Sequence, residues 1–206
     1  MYFDNEAEDW DKDPKRIERA EIVAKEIIDF VKPKQTLDAF EFGCGTGLLS
    51  FQLKDNFKTI TLADNSLGMI KVVQEKIVIA GIENFNPLHI DLLDSDIKLN
   101  TYDVIYTIMT LHHISDVNHI AQIFHNMLNS AGYLCIADLV QEDGSFHVHH
   151  DNFDGHKGFD RAELAAILTA NGFDVEYYKI CFEIEKKVED VDRIYPLFLM
   201  ICKKNT

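Results

Sequence analysis

Glu41-Phe42-Gly43-Cys44-Gly45-Thr46-Gly47 closes the largely apolar run 37–42, and its reading decides the fold. An apolar run that stops at closely spaced glycines is a buried strand ending in a sharp backbone turn. A helix is then expected from about Leu48. The first turn of a helix presents unpaired N–H groups, and glycine lets a ligand come close to the backbone. A nucleotide-like ligand is the usual tenant of such a strand–turn–helix.

Elements of alternating type extend on both sides of this turn. Upstream, Ile17, Ala20, Val23, Ala24, Ile27, Ile28 and Val31 fall at helical spacing, with Asp13 suited to the N-cap, Pro14 to the first turn and Pro33 to the stop. Downstream, strands are expected at 59–64, 85–90, 102–108 and 132–137, with helices at 48–53, 66–80 and 117–128. Asp160-Arg161-Ala162-Glu163 has the form of a capping box, opening a helix that stops at Asn171-Gly172. Two last strands, about 174–185 and 196–202, read as an antiparallel hairpin with a long charged connection. The order predicts an α/β fold: a doubly wound, mainly parallel seven-stranded sheet with an antiparallel strand near one edge. No linker divides the chain, so 1–206 is expected to be one domain. Within it, 1–32 is expected to be an N-terminal segment and helix, and 141–159 a long loop of the kind that often carries function.

Composition narrows the function classes. A formal net charge of −15 repels phosphate backbones and anionic membranes, so neither nucleic acid nor a membrane is an expected partner. No apolar run is long enough to span a bilayer, and the acidic start lacks a signal peptide's basic and apolar parts; a cytoplasmic protein is expected. The four cysteines, at 44, 135, 181 and 202, show no zinc spacing and read as small buried hydrophobes in a reducing compartment.

A lone glycine turn is compatible with several nucleotide ligands. The spacing here is G-x-G-x-G rather than G-x-G-x-x-G, with an acid two residues before the first glycine. The next strands end in Asp64 and at Ile90-Asp91-Leu92, and the carboxyl ends of an open α/β sheet line one crevice. Read singly, Asp64 is also an ordinary strand-end acid, Asp91 stands beside Asp94 and Asp96 as turn acids do, and Met69 also suits an inner helix face.

From about Leu37 to Cys202 the chain resembles the class I S-adenosylmethionine-dependent methyltransferases, Rossmann-like enzymes. The matching pieces are Glu41-x-Gly43-x-Gly45-x-Gly47, Asp64-x-Ser66-x-x-Met69, Asp91, Tyr102-Asp103-Val104-Ile105 with Leu111-His112-His113-Ile114, Ala131-Gly132-Tyr133-Leu134, and Asn171-Gly172-Phe173. Within that class it looks most like the small-molecule enzymes. The resemblance implies S-adenosylmethionine as cofactor and a small organic acceptor methylated by direct displacement. It implies that Asp64 takes the ribose hydroxyls, while Asp91 and the Leu92 N–H take the adenine edge and Asn65 and Met69 border it. Gly43, Gly45 and Gly47 shape the turn at the amino-acid part, where Glu41 and the carbonyl of Thr107 or Ile108 meet the ammonium.

Transfer from a sulfonium needs alignment, exclusion of water and sometimes a base, but no covalent nucleophile. The base candidates are histidines: His112 and His113 after the fourth strand, and His147, His149, His150 and His156 in the long loop, with His113 and His149 the leading choices. The run His147-Val148-His149-His150-Asp151 is not a recognised zinc spacing, and no metal is expected. Phe146, His150, Phe153 and Phe159 are candidates for an acceptor pocket or lid. A nicotinamide-dependent oxidoreductase and a non-catalytic S-adenosylmethionine-binding regulator remain the alternatives.

Overall fold

The sheet order β3-β2-β1-β4-β5-β7-β6 places the glycine turn at the centre of the molecule, where the chain's winding reverses. The computed structural model describes residues 2–93, 100–148 and 153–205. Its strands are β1 (Asp38–Phe42), β2 (Thr59–Asp64), β3 (Phe85–His89), β4 (Tyr102–Ile108), β5 (Leu128–Leu139), β6 (Phe173–Val188) and β7 (Val191–Lys204). Its α-helices are α1 (Tyr2–Glu6), α2 (Pro14–Val31), α3 (Leu48–Leu53), α4 (Leu67–Ala80), α5 (Val117–Met127) and α6 (Arg161–Ala170). Strands β1 to β5 run parallel, and β7 is antiparallel to both of its neighbours.

Period-two alternation along the central strands builds two cores from one sheet. Phe40, Ile105, Leu134 and Ile136 face Ile120, Phe124 and Met127 of α5 and Leu164 and Leu168 of α6. Ala39, Val104, Tyr106, Cys135 and Ala137 face the other way, toward α2, α3 and α4. Local signals set the helix ends. The Asp13 carboxylate accepts the Lys15 N–H at 2.9 Å and Pro14 opens α2, while Ser66 caps α4 through the Met69 N–H. Gly81, in the left-handed region at φ 62°, ends α4.

The structure corrects the C-terminal reading. β6 and β7 are joined not by a long connection but by Glu189 and Asp190 alone, both left-handed at φ 48° and 64°. Glu183, Glu185 and Lys187 are exposed and alternate with Phe182, Ile184 and Lys186, so a half-exposed ribbon carries the charge that suggests a loop. β5 is also longer than expected: it begins at Leu128 and continues through Asp138 and Leu139.

The N-terminal segment folds back over the sheet's carboxyl edge. After α1, a 3-10 helix at Ala7–Lys12 leads into α2. Asp4 accepts the Ser66 hydroxyl at 2.7 Å and the Gly68 N–H at 2.9 Å, which ties α1 to the start of α4. A Cβ on Gly68 would stand 2.8 Å from the Asp4 backbone, so this close approach requires glycine. Among the described residues, no helix is long and apolar enough to cross a membrane.

Phe124 is the anchor between α5 and the sheet, 1% exposed and edge-on to Phe42 at 5.3 Å. Phe124→Ala is expected to lower unfolding stability by about 3–5 kcal/mol in urea titrations, the cost of a large buried cavity.

Candidate active site

Glycines at 43, 45 and 47 all adopt left-handed backbone, at φ 65°, 54° and 81°. At Gly43 a Cβ would fall 2.2 Å from the Thr110 methyl, so the turn can lie against the loop after β4 only without a side chain. The Thr110 hydroxyl sits 3.2 Å from the Gly43 carbonyl and 3.0 Å from that of Ile108. Asp64, at the end of β2, accepts the Gly45 N–H and the Ser66 N–H, each at 2.8 Å. Burial raises its carboxyl above the ordinary range, and these two N–H groups partly offset that. Each oxygen keeps acceptor capacity for a ligand hydroxyl.

Glu41 is completely buried in β1. The Ser50 hydroxyl donates to its Oε2 and lies 2.7 Å from the Tyr106 hydroxyl, while Oε1 has no partner among the described residues. Burial pushes this carboxyl up to about 8. Burial thus favours its neutral form until a cation reaches it.

A cleft of about 750 Å³ opens over the strand ends, within the size range of ligand pockets. Glu41, Gly43, Gly45, Asp64, Asn65, Met69, Asp91, Leu92, Ile108 and His113 line it. Asp91 also accepts the Leu93 N–H at 3.0 Å. Two residues of the sequence reading stand elsewhere. Gly47 starts α3, and Thr107 is buried with its hydroxyl on the Phe42 carbonyl at 2.9 Å, because the pleat turns alternate β4 residues away from each other. His149 and His150 lie outside the described residues.

The cleft also holds groups that the sequence reading leaves out. Arg16 and Arg19 reach it from α2. Arg16 lies over the Trp10 ring at 3.7 Å and donates to the Trp10 carbonyl at 3.1 Å. The Arg19 Nε is buried with no partner among the described residues, and burial, with the Arg16 charge, draws that guanidinium down to about 10. It remains a cation at neutral pH. The cleft also borders a buried pair, His112 Nδ1 to Asp138 Oδ1 at 2.6 Å. Burial alone would raise the Asp138 carboxyl. The His112 charge and hydrogen bond, with the Leu139 and His112 N–H groups, outweigh that and hold it below the usual range. The acid was readable as another strand-end carboxylate, had β5 been extended by one residue. With His112, His113 and His147 form a wall of the cleft, with Phe146 beside them and Phe3 edge-on to His113 at 5.5 Å.

The family model of a methyltransferase domain matches residues 40–134. An uncharacterised methyltransferase of Schizosaccharomyces pombe is 31% identical over 121 residues, 55% of this chain and 43% of the relative. A phosphoethanolamine N-methyltransferase of Arabidopsis thaliana is 28% identical, over 73% of this chain and 31% of the relative. The chain thus spans less than half the length of either relative. A crystal structure of an S-adenosylmethionine-dependent methyltransferase from Aquifex aeolicus superposes with a TM-score of 0.66 at 18% identity, covering 93% of this chain and 98% of that one; it speaks to the fold. Residues 40–134 thus match a methyltransferase domain, and the relatives and the fold agree with that match.

The Glu41 carboxyl has a pH signature. Unfolded glutamate titrates near about 4.3, so between there and about 8 the unfolded chain releases a proton that the native carboxyl keeps. Its contribution to stability is complete below the lower value and is lost as pH rises through the upper one. Glu41→Gln should therefore gain stability relative to the parent from pH 5 to pH 8, by at most ~1.4 kcal/mol per pH unit, in urea titrations of the ligand-free protein. Parallel profiles for the two proteins would show that Glu41 is ionised throughout.

Proposed function

We propose that this chain transfers the methyl group of S-adenosylmethionine to a small organic acceptor by direct displacement. The observation that carries the reading is the convergence of the Gly43–Gly45 turn, Asp64 and Asp91 on one cleft that continues to a wall of aromatic and imidazole side chains. Bound there, S-adenosylmethionine supplies a methyl carbon made electrophilic by its sulfonium, so no enzyme nucleophile is needed.

The residues fit such a ligand at both ends of its charge. The bare Glu41 Oε1 suits an ammonium and the bare Arg19 Nε suits a carboxylate, and a charge-assisted hydrogen bond would compensate each buried group. Asp64, fixed by two backbone N–H groups, has acceptor capacity left for a vicinal diol. Asp91, with the Leu92 N–H, is assigned to the adenine edge, and Asn65 and Met69 to its borders. Ile108, rather than the buried Thr107, is the carbonyl assigned to the ammonium.

The acceptor is received between Phe3, Phe146 and the imidazoles, under the N-terminal segment, which also keeps water from the reacting atoms. That covered geometry suits a small molecule, as does the phosphoethanolamine N-methyltransferase activity for which the Arabidopsis relative is named. The net charge of −15 argues against a nucleic-acid substrate. Free, mostly buried cysteines suit a reducing compartment such as the cytoplasm.

Thermal shifts test the donor. S-adenosylmethionine and S-adenosylhomocysteine should stabilise the protein and NAD should not, and Asp64→Ala should abolish the shift with the fold retained. Stabilisation by NAD alone would overturn the reading. Arg19→Met should weaken S-adenosylmethionine about 10- to 100-fold in calorimetry, the worth of a hydrogen bond between charged groups. Donor binding with no transfer to hydroxyl, amine or thiol acceptors would point to a regulator instead.

A further inference from the structure

We propose that His112, His113 and His147 together bind a divalent transition-metal ion of the zinc type on the acceptor wall, with a coordination position left open toward the cleft. Each offers a ring nitrogen, and those nitrogens all lie within 4.8 Å of one another. A tetrahedral ion at about 2.0–2.1 Å from each would set them roughly 3.3 Å apart, so the cluster is slightly open and a bound ion draws it together. All three side chains border the cleft, which gives the ion an entry path and the acceptor a place beside it.

Two loops build this cluster, and both are held from behind. His112 and His113 sit on a 3-10 turn after β4, and His147 ends another after β5. Asp138 is completely buried and takes the His112 Nδ1 at 2.6 Å. A carboxylate only accepts, so Nδ1 carries a proton, and in the neutral imidazole that a metal binds Nε2 offers the lone pair. A carboxylate behind an imidazole is the usual support of a metal-binding histidine. Asp138 also accepts the Leu139 N–H at 2.7 Å and the His112 N–H at 3.2 Å, which fixes its orientation. The His147 ring is stacked on Phe153 at 3.8 Å between centroids and 7° between planes. The His112 carbonyl accepts the His156 N–H at 2.7 Å, and a Cβ on Gly155 would lie 2.3 Å from that same oxygen. An aromatic wall alone would be served by phenylalanine and would not require a buried carboxylate behind one ring.

The donor set selects the ion. Three imidazoles with no carboxylate among them favour zinc, cobalt, nickel or ferrous iron over magnesium or calcium, which prefer oxygen. Three protein ligands with an open position are the pattern of a catalytic rather than a structural site. Resting on the methyltransferase reading, this gives the acceptor a class: a molecule whose hydroxyl or thiol coordinates the ion and so loses its proton to solvent more readily. The three histidines then act as one unit, in place of a single base at His113.

The test is a titration of chelator-stripped protein with Co²⁺, read by visible absorption, followed by competition with Zn²⁺. One ion per chain is expected, displaced by zinc and not by millimolar magnesium. His147→Ala should remove the cobalt spectrum, and His113→Gln, the gentler change, should do the same. Asp138→Asn should weaken binding about 10- to 100-fold. His147→Ala should keep its thermal shift with S-adenosylmethionine, which shows that it is folded. A spectrum that is absent, substoichiometric or unchanged in both histidine variants overturns the proposal. A cobalt site in a parent protein that S-adenosylmethionine does not stabilise would support the metal and overturn the donor reading instead.

Discussion

The Asp64 carboxylate joins the parts on which the site depends. One oxygen holds the glycine turn after β1 and the other holds the start of α4. The same start of α4 is where Asp4 ties down the N-terminal segment, through the Ser66 hydroxyl and the Gly68 N–H. Glycine turn, second strand and N-terminal segment are thus linked within one short hydrogen-bond chain. The linkage depends on backbone that only glycine permits, since Gly43 leaves no room for a Cβ beside Thr110 and Gly68 leaves none beside Asp4.

Around this clamp the cleft is asymmetric in charge. The molecule is strongly acidic, yet Arg16, Arg19 and Lys186 come to the cleft from α2 and β6. The Arg19 Nε and the Glu41 Oε1 are buried polar atoms with no described partner, and such groups cost stability in the folded protein. Two such atoms in residues that line one cleft are expected of a binding site rather than of a packing core.

The histidine wall follows from the same sheet geometry. β4 and β5 are neighbours, so the loops after them meet at the carboxyl edge and bring His112 and His113 against His147. The extra length of β5 is what places Asp138 beneath His112, and the long ribbon of β6 brings Phe182, Ile184 and Lys186 round to close the cleft from the side.

Much of the fold was written locally. The glycine turn, the caps at Asp13 and Asp160 and the alternation of element types depend on neighbours in the chain, and each formed as read. The strand-end position of Asp64 and Asp91 was legible for the same reason: it follows from where an apolar run stops. Where local pattern was ambiguous, reading failed. A half-exposed ribbon with alternating charge resembles a loop, so most of the hairpin's distal part was missed, and stopping β5 at Ala137 hid Asp138.

By itself, then, the sequence determined the sheet, its winding and the glycine turn at its carboxyl edge, because strand periodicity, glycine backbone freedom and helix capping act over a few residues. Only the tertiary structure decided which face of α2 turns Arg19 inward, that Thr107 points away from the cleft, and that Asp138 lies behind His112. Those are contacts between residues far apart in the chain, set by how the sheet pairs and twists. No periodicity in one segment records the position of another.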